Sequence, residues 1–432
     1  MSTVDDPAVP PASDLSKEGL SPLTLVPYAL ANLCAWTMIL TPMAVTMALK
    51  VREIDPSGAS TSLSLVSAVG AVFGIVANPI FGRLSDRTRS RFGMRRPWLL
   101  GGVGSAGAGL VIVAVATSVP VVMLGWAIAQ CGVQALFASL TAVLPDHVPV
   151  HQRGRVGGLI SMGQNAATTL GSGLLALNAT SLTWGLLAPV GLAVLAVVWL
   201  CLVLPDRRHD GSPRPTLSVK EVLGSYWVDP RRFPDFVWML AGRLLVFVGI
   251  TILVVYQAYF LLSRIGVPPA RIAAVMFGVL LLENAVGVTT NLVSGWLSDR
   301  LRRRKVFVFW SAVVGAAGFV VAGCATEMSM FLVGVTLLGI GKGIYGAVDL
   351  ALATDLLPRG ERDAGKDMGL FIIAGLLPNL FAPVLASVVL AIGATGAAAP
   401  GAPAGNYSAL FIAGGVFMLV GAFAVQFIRG VR

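Results

Sequence analysis

Four charged side chains stand inside long apolar runs in the second half of this 432-residue chain. Two are basic and two are acidic: Arg243, Glu283, Lys342 and Asp349. An unpaired charge costs about 2.5–3.5 kcal/mol or more at the centre of a bilayer, so such residues face a protein interior and pair with one another. A carboxylate at that depth can also be neutralised by a proton, which makes proton transfer a chemistry open to these residues.

The depth of each charge along its run predicts the pairing. Arg243 and Asp349 lie about 10 Å and about 8 Å from the ends of their runs that arginine-rich loops flank. Glu283 and Lys342 lie about 18 Å and about 21 Å from the opposite ends, near the midplane. Depth and sign therefore predict the pairs Arg243–Asp349 and Glu283–Lys342. Two interpretations stay open: static salt bridges, or cavity-lining charges that respond to a proton or a solute, with Glu283 as the proton carrier.

Composition indicates which elements must position these charges. Apolar residues make up 56% of the chain and charged residues 12%, about half the charged share of soluble proteins. Twelve apolar runs have roughly the 20 residues that a helix needs to cross a bilayer. These are spans 1 to 12, at residues 24–49, 61–82, 97–117, 120–144, 156–179, 184–204, 236–262, 271–295, 305–325, 328–354, 367–393 and 407–428. Because backbone in lipid must satisfy its own hydrogen bonds, we predict an all-α integral membrane protein.

Two phrases recur half a chain apart. The first follows spans 2 and 8, as Gly82-Arg83-Leu84-Ser85-Asp86-Arg87 and, 213 residues later, as Gly295-Trp296-Leu297-Ser298-Asp299-Arg300. The second is Asp146-x-x-Pro149-x-x-x-Arg153, which recurs 209 residues later as Asp355-x-x-Pro358-x-x-x-Arg362. Such repetition predicts two pseudo-symmetric six-helix halves with a site at their interface. The predicted halves are 24–204 and 236–428, with a linker at 205–235 and a disordered tail at 1–23.

Positive charge is distributed unevenly among the loops. Of 31 Lys and Arg residues, 24 lie in the loops after spans 2, 4, 6, 8 and 10 and in the C-terminal tail. The opposite loops hold four: Lys50, Arg52, Arg264 and Arg271. We call the end of the helices with the first set of loops the arginine-rich end, and the end with the opposite loops the arginine-poor end. The bias predicts that the arginine-rich end and both termini are cytoplasmic. Basic residues used in this way contact anionic lipid, which argues against a nucleic-acid partner.

These features resemble a known family. Twelve spans, a linker after the sixth, and Gly-x-x-x-Asp-Arg after spans 2 and 8 resemble the major facilitator superfamily over residues 24–428. The segment 78–98, with Ser90-Arg91-Phe92-Gly93-Met94-Arg95-Arg96-Pro97 near its end, is similar to the glycoside–pentoside–hexuronide:cation symporters and the sucrose carriers. The resemblance implies a secondary transporter that works by alternating access. In the sodium-coupled melibiose-type carriers span 2 ends with a cation-binding Asp, but the matching residue here is Asn78, so sodium coupling at span 2 is not expected.

The resemblance also implies a gate at the repeated loop motif. Asp86 and Asp299 would accept hydrogen bonds from a neighbouring helix N-terminus, where partial positive charge lies, and pair with loop arginines. Gly82 and Gly295 would permit close helix approach. The predicted gating residues are Gly82, Asp86, Arg87, Arg95, Arg96, Gly295, Asp299 and Arg300. The second phrase predicts a cytoplasmic ion-pair network of Asp146, Arg153, Asp355 and Arg362. The alternative is that these are interface charges without a gating role.

Amides and aromatic rings within the spans supply the predicted substrate site. Its residues are Asn32, Trp36, Gln130, Gln134, Tyr256, Gln257 and Tyr345. Amides hydrogen-bond hydroxyl groups, and a ring face packs on the apolar side of a sugar, so this set suits a polyol. The alternative is that the same residues join helices to one another.

The predicted function is secondary active transport of a small polar solute, with sugars as the leading class, by proton-coupled symport across the cell membrane. A drug or metabolite exporter of the same fold is the alternative. An enzyme is disfavoured, because the sequence has no phosphate-binding glycine loop with lysine and its three histidines lie in loops. We expect no cofactor and no metal site. The expected partners are the solute, protons and the lipid bilayer, and we expect a monomer.

Overall fold

A computed structural model describes residues 22–88, 90, 92–148, 150–178, 181–205, 231, 233–301, 303–355, 370–371, 373–392 and 405–428. The regular structure of these residues is helical, without a strand, which confirms the all-α prediction. Span 1 comprises Pro22–Thr41, a π-helical turn Pro42–Thr46, and Met47–Ile54. The other spans are, in order, Ala59–Arg87, Arg96–Val115, Val119–His147, Val150–Leu177, Leu182–Val203, Pro234–Ser263, Ile272–Leu301, Arg304–Cys324, Met328–Asp355, Pro378–Ala391 and Tyr407–Gln426.

Nearly all of the spans are long enough to cross a membrane. Within the described ranges, eleven helices are long and apolar enough to span a bilayer. Span 5 differs: its helix has 28 residues, but its described apolar stretch is Ala166–Leu177. The described part of span 5 also carries the polar side chains of Gln164, Thr168 and Thr169.

Contacts between spans repeat from one half of the chain to the other. Span 4 packs against spans 2 and 3, and span 10 against spans 8 and 9. Span 1 packs against spans 5 and 6, and span 7 against spans 11 and 12. Span 5 reaches span 8 of the other half, and span 11 reaches span 2. Each contact thus has a counterpart six spans away. The domain bounds themselves stay a prediction, since most of the linker 205–235 lies outside the described residues.

Glycine fixes two faces of span 10. A Cβ added at Gly343 would collide with the carbonyl oxygen of Gly287 in span 8, and one at Gly341 would lie 2.7 Å from the carbonyl oxygen of Ser311 in span 9. Backbone approach of this kind relies on small residues in membranes. At 3.6 residues per turn, Lys342 and Asp349 project from a third face, between those two. The closest helix contacts therefore orient the charged face of span 10.

Gly82 and Gly295 make no close helix contact among the described residues in this conformation, so the close approach predicted for the closed gate stays a prediction. Among those residues, a Cβ added at Gly82 would meet no heavy atom within 4 Å, and one at Gly295 would lie 3.7 Å from Ala347, an ordinary contact. Span 2 makes its close contact with span 4 at Gly70, where an added Cβ would collide with the indole nitrogen of Trp126. Gly82 follows Gly70 by twelve residues, which is three full helical turns plus about a third of a turn. Gly82 therefore lies on a different face of span 2 from Gly70 and points away from span 4.

Candidate functional site

The four intramembrane charges form the two pairs that their depths predict. Lys342 Nζ of span 10 donates to Glu283 Oε1 of span 8 across 2.5 Å. Arg243 of span 7 binds Asp349 of span 10 through Nη1 and Oδ2. Span 10 holds one member of each pair on one face, because Lys342 and Asp349 are seven residues apart. It therefore links spans 7 and 8 through ion pairs inside the membrane.

The two members of the Glu283–Lys342 pair differ in exposure. The Glu283 side chain is 3% exposed and the Lys342 side chain 29% exposed. The carboxylate is thus enclosed between helices, whereas the ammonium group is partly exposed. Removing the partner of a buried charge is strongly destabilising, so the buried Glu283 carboxylate depends on Lys342 as its counter-charge.

Arg243 lies in a more enclosed cluster. Its guanidinium carbon is 3.6 Å from the ring centroid of Phe371 and 4.5 Å from that of Phe247. Cations over aromatic faces gain cation–π attraction, most when desolvated. Tyr345 meets Phe247 edge-on, with ring centroids 6.2 Å apart. Because Arg243 and Asp349 are each only 11% exposed, the geometry favours a structural salt bridge here, and it gives Tyr345 a packing role beside it.

Amides cluster in the first half. Asn78 Nδ2 of span 2 donates to Gln134 Oε1 of span 4 across 2.7 Å. Gln130 and Gln134 both cover Gly74, whose added Cβ would lie 3.8 Å from Gln130 Oε1 and 3.3 Å from Gln134 Nε2. Asn78, Gln130 and Gln134 are each half-buried, and an amide carries both donors and acceptors. The amide cluster of these three residues therefore retains capacity to bind hydroxyl groups.

Asn78 was not predicted from the sequence as a site residue and was considered only as the replacement for a cation ligand. The internal repeat could have identified it. Asn291 stands 213 residues after Asn78, the same offset as the first repeated phrase, so the two asparagines occupy matching positions of spans 2 and 8. Asn291 of span 8 lies against span 10, since a Cβ added at Gly346 would be 3.1 Å from Asn291 Nδ2.

Two further predicted contacts are local. The Trp36 ring of span 1 packs on Phe137 of span 4, with centroids 4.3 Å apart. Trp36 is half-buried, so part of its face stays available to a solute. Asn32 is buried and donates from Nδ2 to the Tyr28 carbonyl oxygen of its own helix across 2.9 Å. Substrate contact by Asn32 remains a prediction, and its observed bond is structural.

Tyrosines join the two halves at the arginine-poor end. Tyr256 of span 7 and Ser64 of span 2 share a hydroxyl–hydroxyl bond of 2.6 Å. Ser64 Oγ donates to the Ser60 carbonyl oxygen, so the Tyr256 hydroxyl must be the donor to Ser64. Tyr259 donates to the carbonyl oxygen of Ala48 in span 1 across 2.7 Å. These bonds, which close the halves against each other, were not predicted from the sequence.

The same region buries two predicted substrate residues. Tyr256 is 0% and Gln257 1% exposed, and Gln257 Nε2 finds no hydrogen-bond partner among the described residues. A solute cannot reach either side chain in this conformation. Nearer the midplane, Asn284 of span 8 donates to Thr169 of span 5 across 2.8 Å. Contact of Tyr256 or Gln257 with a solute therefore requires the arginine-poor end to open.

Loss of the tyrosine bond should favour opening at the arginine-poor end. Tyr256→Phe removes a buried hydrogen bond worth about 0.5–1.5 kcal/mol net, or a roughly 2- to 12-fold shift in the conformational equilibrium. Ser64→Ala should shift it further, because it strands the buried Tyr256 hydroxyl. Spin labels at Ser57 and Ala270, both exposed between spans at that end, should report longer distances in both variants, in a background without the four native cysteines.

Tyr28→Phe is the matched control for this measurement. Tyr28 is equally buried, and its hydroxyl donates to the Leu140 carbonyl oxygen across 2.8 Å within one half. It should lower stability without lengthening the distance between the labels. Identical distance distributions for Tyr28→Phe and Tyr256→Phe would mean that the Ser64–Tyr256 bond does not hold this end closed.

Three of the eight predicted gating residues, Asp86, Arg87 and Asp299, have side chains outside the described residues. The same holds for all four residues of the predicted ion-pair network, Asp146, Arg153, Asp355 and Arg362, so the latch and the network stay predictions. Arg95 is buried and donates to Ser85 Oγ across 2.9 Å. Arg96 Nη2 donates to the Leu204 carbonyl oxygen across 2.5 Å. Arg300 is exposed, 5.4 Å from the Trp296 ring.

The chain is similar in sequence to known membrane transporters. The sequence profile of the Major Facilitator Superfamily matches residues 25–289. The inner membrane symporter YicJ of Escherichia coli is 26% identical over 339 residues, which cover 72% of this chain and 68% of that protein. An uncharacterised MFS-type transporter of Mycobacterium tuberculosis is 26% identical over 304 residues, which cover 66% of this chain and 68% of that protein.

Solved structures share the fold at low sequence identity. A bacterial homologue of the human lysosomal transporter Spinster, inward-facing and unoccupied, aligns with a TM-score of 0.72 at 17% identity, covering 96% of this chain and 99% of that one. A mutant of the nucleoside transporter NupG aligns with a TM-score of 0.73 at 12% identity, covering 94% of this chain and 99% of that one. At such identities the likeness shows the fold alone.

Proposed function

The chain belongs to the major facilitator superfamily and is a multi-pass membrane transporter, and we propose that it moves a small polar solute, with sugars as the leading class, by proton-coupled symport. Members of this family carry solutes and are not enzymes. Secondary transport follows from membership, whereas the solute and the coupling ion are our proposal. The glycoside–pentoside–hexuronide:cation branch is proposed as its place, supported by the 78–98 segment and by the similarity to a symporter.

The observation that carries proton coupling is the Glu283–Lys342 pair. Glu283 is the carboxylate nearest the midplane, and its side chain is 3% exposed beside a lysine that is 29% exposed. A proton that reached the pair from water would neutralise Glu283 and free Lys342, and its departure would restore the pair. Each step changes the charge that the site holds, so each can be tied to a change of conformation.

Sodium fits this site poorly. Small hard cations are held by several oxygen ligands, whereas Lys342 Nζ lies 2.5 Å from Glu283 Oε1, where a cation would have to bind. The alternative position at span 2 carries Asn78, whose amide is bonded to Gln134. A proton needs only one carboxyl group that alternates between a partner and water, and Glu283 supplies it.

A polar solute suits the polar and aromatic groups within the first half. The amide cluster offers neutral donors and acceptors from spans 2 and 4, and Trp36 offers part of a ring face from span 1. Amides paired with one aromatic face favour a ligand with many hydroxyl groups and one apolar side. This is the chemical basis for proposing a sugar rather than an apolar cation.

Orientation completes the proposal. The bias of 24 to four basic residues supports a cytoplasmic arginine-rich end in the cell membrane. Under that orientation, the Tyr256–Ser64 and Tyr259–Ala48 bonds close the outer side. The described conformation would then be inward-facing, with Lys342 reached from the cytoplasm.

Counterflow in proteoliposomes tests the proposed solute class. Vesicles loaded with an unlabelled sugar should take up the same labelled sugar faster than empty vesicles, for at least one member of a panel of mono- and disaccharides and glycosides. Gln134→Leu, which removes the acceptor for Asn78, should slow this exchange strongly, and Tyr28→Phe should not. Exchange of lipophilic cations, with none for any sugar in the panel, would replace this proposal with the exporter.

A further inference from the structure

Spans 2 and 3 leave a cleft between them above span 4. The cleft has a volume of about 360 Å³, within the range of about 300–1,000 Å³ that small-ligand sites occupy. Its wall is mainly apolar and includes Phe81, Trp98, Gly101, Ser105, Cys131 and Ala135. It lies within one half of the chain, away from the Glu283–Lys342 pair, and the proposed transport mechanism does not use it.

The cleft opens toward lipid. Gly101 lies on an exposed stripe of span 3 together with Leu100, which is 44% exposed. On span 2, Ile80 and Leu84 next to the cleft are 50% and 38% exposed. Large apolar side chains exposed within a membrane span face acyl chains. The cleft is therefore a recess in the lipid-facing surface.

Its long direction follows the membrane normal. Thr88, Pro97 and Trp98 line the cleft at the arginine-rich end, and Ser105 and Cys131 line it deeper. The eight residues from Pro97 to Ser105 correspond to about 12 Å of helix. Trp98 Nε1 donates to Thr88 Oγ1 across 2.5 Å, which fixes an indole at the depth where aromatic residues meet lipid headgroups.

The surroundings indicate what fills such a recess. An apolar cavity stays dry, because water in it lacks polar partners. An unfilled recess would also forfeit the dispersion contacts of its wall. We propose that the cleft binds a phospholipid, with one acyl chain lying along span 4 to the depth of Cys131 and the headgroup at the level of Trp98.

Glycines in span 3 give a test that leaves the helix contacts intact. Among the residues that the structure describes, a Cβ added at Gly101 or at Gly104 meets no heavy atom within 4 Å, so larger side chains fit at both positions. Both glycines are exposed on the same helix, but only Gly101 lines the cleft. Gly102 is unsuitable, because its added Cβ would lie 2.7 Å from the Leu136 backbone nitrogen.

The experiment is photo-cross-linking with a phospholipid that carries a diazirine in mid-chain, followed by peptide mass spectrometry. The wild type and Gly104→Trp should be labelled preferentially at the cleft residues. Gly101→Trp should lose that preference, and Gly101→Leu should lose part of it. Labelling spread evenly over the lipid-facing helices of the wild type, or unchanged cleft labelling in Gly101→Trp, would overturn the proposal.

A second measurement uses the wild type alone, in case the tryptophan variant does not fold. Cys131 lines the cleft and is half-buried. Its alkylation by an apolar maleimide in detergent should slow when phosphatidylcholine is added back, whereas alkylation of the exposed Cys324 should not. An unchanged rate at Cys131 would contradict lipid occupancy. Slowing by a transported sugar instead of by phospholipid would assign the cleft to the solute.

Discussion

Arg243→Gln or Asp349→Asn alone should leave little folded protein in the membrane, and the double variant should recover much of it. Each single change strands a charge in a cluster that is only 11% exposed. Breaking a buried pair in this way costs about 3–5 kcal/mol, whereas removing both charges avoids the uncompensated one. The measurement is the yield and thermal unfolding of the four purified proteins.

The matched control is Arg300→Gln. Arg300 is exposed at the end of span 8, so the loss of its charge should change yield little. The pairing would be refuted by a double variant whose yield is as low as the two single losses combined. The double variant still leaves Phe247 and Phe371 around a neutral side chain and loses their cation–π contact, so full recovery is not expected.

Glu283→Gln should abolish accumulation of solute against its gradient and spare downhill exchange. The glutamine keeps the shape of the buried side chain and a hydrogen bond to Lys342, but it can no longer gain and lose a proton. Without that step, solute movement is uncoupled from the proton gradient. Accumulation and counterflow, measured on the same proteoliposomes, separate the two activities.

Glu53→Gln is the control for this prediction. Glu53 also pairs with a lysine, Lys50, at 3.7 Å, but its side chain is 64% exposed. Its replacement should change neither accumulation nor exchange. Equal loss of accumulation and counterflow in Glu283→Gln would mean that Glu283 serves folding or solute binding and does not carry the coupling proton.

The sequence predicted the features that the membrane dictates. A helix needs a set length of apolar residues to cross lipid, so the spans could be recognised from the runs. The position of a residue along a membrane-spanning helix fixes its depth in the bilayer. Charges of opposite sign at the same depth could therefore be matched, which predicted Arg243–Asp349 and Glu283–Lys342. Both pairs are present in the structure.

Rotation of the helices about their axes was harder to predict. Span 2 approaches span 4 closely at Gly70, which belongs to no repeated phrase. Tyr256 and Gln257 were expected to face a solute, and they are buried where the halves meet. The Ser64–Tyr256 bond joins residues 192 positions apart, and neither its register nor the closure of the arginine-poor end is encoded in a local pattern.

Accumulation in sodium-free proteoliposomes under an imposed proton gradient tests the central claim most directly. We predict that the wild type concentrates its solute when the side from which it enters is acidic. A protonophore should abolish this, replacement of choline by sodium should not change it, and Glu283→Gln should not accumulate. Accumulation that requires sodium and survives in Glu283→Gln would contradict proton coupling through Glu283, and would direct attention to a cation site at Asn78.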